Sequence, residues 1–272
     1  MKSSQTLITI LLLSGLTLAL PRTTNKRIIG GTESPISNHP YQVSLFISNS
    51  FAGSGSIIAP NKILTAAHCI DGVAARKVSV RAGSSTHADG GTLLNVSAIA
   101  MHPQYSSPVV LENDIAVLTL VDDLPFGVGE EVGLVPVTLP ALELSPGVEF
   151  NAAASSFPAA GRQVVISGWG GTAESGPVSK TLRTVTVDVI ANSECAEMYG
   201  TYTIPITDGM FCAGVPGGGK GSCKGDSGGP VMADGVLAGI VSWGLGCARA
   251  TKPGVNTRVA FYRDWIAEVA GV

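Results

Sequence analysis

Short apolar blocks with a two-residue alternation recur along most of the chain. Q-V-S-L-F-I (42–47), S-I-I (56–58), K-V-S-V-R-A (77–82), D-I-A-V-L-T-L (114–120) and T-V-T-V-D-V-I (184–190) are rich in β-branched residues, and Gly, Pro, Asn and Ser clusters separate them. V-V-I-S-G-W (164–169) and V-L-A-G-I-V-S-W (236–243) are apolar enough to predict strands buried on both faces. Helical periodicity is confined to S-E-C-A-E-M-Y (193–199) and to F-Y-R-D-W-I-A-E-V-A near the C-terminus, where Phe261, Trp265 and Val269 recur at four-residue spacing. The pattern predicts an all-β protein with a C-terminal helix. Residues 141–163 have no clean period, and the expectation there is a long surface loop between two halves.

The first 20 residues break the pattern. Lys2 precedes an apolar run too short to cross a bilayer, followed by polar sequence without a stop-transfer signal. This predicts a secretory signal peptide over 1–19, hence an exported protein with no membrane anchor. P-R-T-T-N-K-R then leads into I-I-G-G, so residues 20–27 read as an activation propeptide. Cleavage after Arg27 would free an α-amino group on Ile28 and leave 28–272 as the mature domain.

Composition narrows the partners. Lys2, Arg22, Lys26 and Arg27 all precede Ile28 while all 20 acidic residues follow it, a mature balance of about −7 that argues against a nucleic-acid partner. With 34 Gly and 16 Pro, turns are abundant. The five cysteines include no C-x2-C ligand pair. In an exported chain four could form two bridges. Pairing Cys195 with Cys212 and Cys223 with Cys247 would clamp the segments around 221–230, although spacing leaves other pairings open.

The chemistry concentrates in G-S-C-K-G-D-S-G-G-P (221–230). A serine hydroxyl is a poor nucleophile alone and needs a base, itself oriented by an acid. His68 in T-A-A-H-C and Asp114 in N-D-I-A-V-L supply both types. Any one motif could be a turn or a core histidine; three in this order make that reading weak.

The series I-I-G-G, T-A-A-H-C, D-I-A-V-L, G-W-G, G-D-S-G-G-P, V-S-W-G and K-P-G-V closely resembles the trypsin/chymotrypsin family of serine endopeptidases, from Ile28 to the C-terminal helix. The order His, Asp, Ser is that family's, not that of α/β-hydrolase esterases. The resemblance implies two six-stranded antiparallel β-barrels, the first over about 28–145 and the second over about 146–272, with the site between them. It assigns His68, Asp114 and Ser227 to a catalytic triad and the N–H groups of Gly225 and Ser227 to an oxyanion hole. It also implies that Asp226, a costly buried carboxylate if unpaired, receives the new ammonium group of Ile28 after the cut at Arg27.

Departures from the family pattern shape the remaining expectations. Trypsins carry an Asp where this chain has Gly221. With Ser222 on the wall and glycines at Gly244 and Gly254, the pocket is expected to be deep and neutral, taking Phe, Tyr, Leu or Met; trypsin-like specificity is the alternative. Ser242, Trp243 and Gly244 are expected to line the edge that pairs with substrate backbone. Gly53 occupies the position of the usual partner of Cys69, which predicts a buried free thiol. The loop 83–97 lacks the Glu pair that binds calcium in trypsins, so no metal and no cofactor are expected. Asn95-Val96-Ser97 matches a glycosylation acceptor. The expected partners are protein or peptide substrates, an activating protease and protein inhibitors, acting on a secreted monomer. A non-catalytic, protein-binding relative is the competing class, although such relatives lose residues that this chain retains.

Overall fold

The computed structural model describes residues 28–126, 134–141, 156–200, 202 and 204–272. The expected signal peptide, Arg27 and most of 141–163 lie outside them.

Two barrels account for nearly all the regular structure. The first closes β2 (Gln42–Ile47), β3 (Ser50–Ala59), β4 (Lys62–Thr65), β7 (Ala116–Leu120), β6 (Thr92–Met101) and β5 (Val78–Ala82) in that spatial order. The second runs β9 (Arg183–Ile190), β10 (Met210–Gly214), β13 (Gly254–Arg258), β12 (Val236–Trp243), β11 (Pro230–Ala233) and β8 (Gln163–Gly168), closed by pairing of β8 with β9. Each is a six-stranded antiparallel barrel, and β1 (Thr32–Glu33) adds to the outside of β9. Closure leaves few free edges.

The alternation explains the cores. Val43, Leu45, Ile57, Ile63, Val80 and Leu118 fill the first barrel, and Val164, Ile166, Val187, Phe211 and Val231 the second. Each such side chain stabilises the fold by about 1.5–3 kcal/mol on burial. A third apolar cluster joins the barrels: Leu64, Ile115 and Val117 from the first pack with Met232, Leu237 and Ile240 from the second. Beside it, the buried Gln42 amide donates to the Ser167 carbonyl at 2.9 Å and accepts from the Ser167 hydroxyl at 2.5 Å. These links fix one barrel against the other, and the candidate site lies at their seam.

Two expectations need correction. Residues 92–97 belong to strand β6, not to a loop; only Leu94 and Val96 of this stretch face the core, so its apolar signal is thin. The C-terminal helix, Arg263–Ala270, buries Ile266 completely, with Trp265 and Val269 only partly covered and Phe261 36% exposed in the turn before it. Its buried stripe is therefore rotated by one residue from the 261/265/269 spacing.

Candidate active site

His68 sits in the single turn Ala67–Cys69 directly after β4, and Asp114 just before β7. Because β4 and β7 pair with Thr65 opposite Ala116, the two residues meet at one end of the first barrel. His68 Nδ1 lies 2.7 Å from Asp114 Oδ2, and the His68 backbone N–H donates to Asp114 Oδ1 at 2.8 Å. An ionised carboxylate only accepts, so the ring proton resides on Nδ1 and the Nε2 lone pair is left for other partners.

Asp114 is 1% exposed. A carboxylate so deep is tolerated only when its oxygens are hydrogen-bonded. The Ser242 hydroxyl supplies a third donor, 2.5 Å from Oδ2, and Thr257 Oγ1 donates to the Asp114 backbone carbonyl at 2.8 Å. The second barrel thus holds an acid that the first barrel provides. Burial alone would lower the His68 pKa; the hydrogen bonds to Asp114 and Cys69 outweigh it and hold the imidazole above its ordinary value.

Ser227 lies in the turn between Cys223 and Pro230. Its carbonyl accepts the Ser54 N–H at 2.8 Å, and the Gly228 N–H donates to Val241 at 2.8 Å, so the turn is tied to both barrels. Gly228 has φ +77°, and a Cβ there would overlap Thr65 Oγ1 and the Ser54 carbonyl, so only glycine permits this approach. That contact brings the Ser227 turn against the segment leading into His68. No hydrogen bond joins Ser227 Oγ to His68 Nε2; the neighbour of Nε2 is Cys69 Sγ, at 3.6 Å. Among the described residues the N–H groups of Gly225 and Ser227 have no acceptor. Two unpaired donors on one turn can receive a developing oxyanion.

Asp226 is fully buried. Its oxygens accept from the Gly170 N–H at 2.7 Å and the Cys223 N–H at 2.9 Å, and a Cβ on Gly168 or Gly170 would overlap the carboxylate. Burial pushes its pKa up to about 6, against the opposing pull of these two donors. Ile28 is also fully buried, in the second core, and Ile29 bridges to Gly221, five residues before Asp226.

A cavity of about 470 Å³ opens beside Ser227, lined among others by Ser222, Ser242, Trp243, Gly244, Gly254 and Glu174. Gly221 is buried beside Ala248 and is not itself part of the lining; a Cβ there would meet Ala248 at ordinary contact distance, 3.5 Å. The disulfides Cys195–Cys212 and Cys223–Cys247 are formed, the second flanking the cavity, and Cys69 is free.

Three features escaped the sequence reading. The Ser242 side chain faces Asp114, a contact 128 residues apart in the chain. Glu174 and Lys224 reach the cavity wall, and Glu174 pairs with Arg249 through contacts of 2.5 and 3.2 Å. No local pattern marks these residues. Loss of the Ser242 hydroxyl removes a donor to a charged acceptor. Ser242→Ala is therefore expected to lower kcat about tenfold with KM little changed, in steady-state assays on a peptide ester.

Comparison with known proteins gives a consistent result. A family model described as Trypsin matches residues 28–266. The chain is 42% identical over 242 residues to Trypsin Blo t 3 of Blomia tropicalis, an alignment covering 88% of this chain and 84% of that protein. Similarity to Trypsin 5G1 of Aedes aegypti is 39% over 247 residues (90% and 86% covered), and to the Vitellin-degrading protease of Bombyx mori 40% over 242 residues (89% and 85%).

Proposed function

Because the chain belongs to the trypsin family and is a serine-type endopeptidase, we propose that Ser227, His68 and Asp114 are its catalytic triad, acting in a secreted enzyme that matures by cleavage after Arg27. The observation that carries this reading is the buried Asp114 carboxylate, which accepts from both the ring and the backbone of His68.

The chemistry follows from the donors and acceptors. Ser227 Oγ attacks the scissile carbonyl while His68 Nε2 takes the hydroxyl proton, which it then gives to the leaving amine. Asp114 fixes the tautomer and stabilises the imidazolium that forms. The N–H groups of Gly225 and Ser227 receive the carbonyl oxygen as its charge develops. Water then attacks the acyl-enzyme by the same steps in reverse. Ser242 to Gly244, at the end of β12, offer backbone groups for the substrate to pair as an added strand.

The acidic residues support maturation. Asp226 is buried with two backbone donors and, among the described residues, no cation beside it. The ammonium group freed on Ile28 would fill that need and order the turn that carries Gly225. The precursor therefore has its catalytic side chains before it has a stable oxyanion hole.

Specificity follows the same logic. Gly221 lies behind Ala248 of the cavity lining and brings no acid there, so a Lys or Arg side chain entering the cavity would leave its charge unpaired and large apolar residues are preferred. Glu174 lines the cavity wall but is already engaged by Arg249, whose hydrogen bond holds its carboxyl below the usual range. Gly221→Asp is expected to raise kcat/KM for Arg and Lys substrates by about 10–10² relative to Phe substrates, on the scale of a new charge-assisted hydrogen bond. Cleavage sites in a peptide library, read by mass spectrometry for both forms, give the ratio.

Fluorophosphonate labelling of the cleaved protein tests the assignment. An adduct on Ser227, absent after mutation of His68, is expected; a cleaved and folded protein that takes no adduct would identify a non-catalytic relative.

A further inference from the structure

The geometry points to the Glu174–Arg249 ion pair as a clasp that holds together the two loops walling the cavity beside Ser227. By positioning these walls the pair sets how tightly a large apolar side chain is bound there. That substrate class rests on the reading above; the clasp itself does not.

Glu174 and Ser175 occupy the tip of a turn in which the Gly176 N–H donates to the Ala173 carbonyl at 2.9 Å. The facing wall, Gly244 and Gly246 to Ala248, follows the end of β12. Among the described residues, neither stretch belongs to a strand and no backbone hydrogen bond joins the two. The Glu174 carboxylate spans that gap. Arg249 Nη2 and Nε donate to its Oε1 and Oε2 at 2.5 and 3.2 Å, a two-pronged pairing that fixes direction as well as distance. The Cys247 N–H is a further donor to the same carboxylate, and it too belongs to the facing wall.

Position 246 agrees with this role. Gly246 has φ +78°, and a Cβ there would overlap both Arg249 Nε and Glu174 Oε1, so the pair lies directly across this residue of the lining. The two side chains are 54% and 41% exposed. Exposed ion pairs add little to global stability, so this one is not what keeps the second barrel folded. Its effect is local. Loops outside a strand ladder open at low cost, and side-chain contacts such as this one decide how well they are ordered. A loosened wall weakens the grip on the bound side chain equally in the ground and transition states, which raises KM and leaves kcat.

Glu174→Gln and Arg249→Ala in the cleaved enzyme are each expected to raise KM for a Phe ester about 5-fold, with kcat and melting temperature unchanged. The double variant should match the single ones, because both changes remove one shared interaction. Salt at about 0.5 M should raise the wild-type KM relative to that of the variants, since it screens the pair. Wild-type KM in the single variants would overturn the clasp, as would effects that add in the double variant or a fall in kcat at constant KM. Indole, an uncharged aromatic, gives a readout independent of catalysis. Its dissociation constant, from saturation-transfer NMR, should be about 5-fold higher in both variants than in the wild type, and equal constants would overturn the inference. A chain that hydrolyses nothing yet binds indole in this order would count against the triad. Cutting after Lys or Arg with the same KM shifts would count against the apolar reading. Either result leaves the clasp standing.

Discussion

Asp114→Asn is expected to reduce kcat by about 10⁴ while KM changes little, the scale this substitution reaches in triads of this type. The amide keeps the size of the carboxylate but must present an NH₂ group where three donors now converge: the His68 N–H, His68 Nδ1 and the Ser242 hydroxyl. Either one of these donors loses its acceptor, or the imidazole takes the other tautomer and turns a protonated Nε2 toward Ser227. Both outcomes remove the base. The pH profile separates this from simple misfolding. The Asp114 hydrogen bond raises the pKa of His68, and the neutral ring is the active form, so the wild-type activity limb should lie above the ordinary histidine value of 6.5. In the Asn variant the residual activity should rise on a limb at lower pH. Unshifted limbs in stopped-assay kcat/KM profiles from pH 5 to 10 would contradict this account.

Blocking the activation cut produces the second large effect. With Arg27→Gln the chain should fold but hydrolyse peptide esters about 10²–10³ more slowly than the cleaved enzyme, the scale of an oxyanion hole left unassembled. The sign of the accompanying pH effect follows from Asp226. In the uncleaved chain its pKa is near 6, above the ordinary 3.8, so the folded state binds that proton more tightly than the unfolded state. Stability from this group is therefore fully present below pH 3.8 and lost as pH rises to about 6, amounting to about 3 kcal/mol. An Ile28 ammonium beside Asp226 reverses the preference. Melting temperatures of the uncleaved and cleaved chains should consequently diverge between pH 4 and pH 7, the cleaved chain gaining. Parallel curves would show that Asp226 does not receive the new terminus.

Elements with strong local patterns were readable in advance. The blocks at 42–47, 164–169 and 236–243 lie within one residue of strands β2, β8 and β12, because alternation and β-branching are short-range properties. Strands β4 and β11 are only four residues long and carry too few positions to show a period. Strand β6 was missed for another reason: much of its surface faces solvent, so polar residues interrupt it.

The candidate site divides along the same line. His68, Asp114, Ser227 and Asp226 announced themselves because each lies in a run of neighbours whose chemistry is local: small residues beside the imidazole, an apolar strand after the acid, glycines around the hydroxyl. The sequence alone therefore determined the all-β class, the candidate reactive groups and the departures at Gly221 and Gly53. Tertiary structure decided who stands beside them. The Ser242 hydroxyl on Asp114, Glu174 paired with Arg249 at the cavity and Cys69 Sγ set 3.6 Å from His68 Nε2 all depend on how rings and loops are placed once both barrels close. Such contacts follow from strand register and from packing across the seam between barrels. No period or spacing in the chain encodes those.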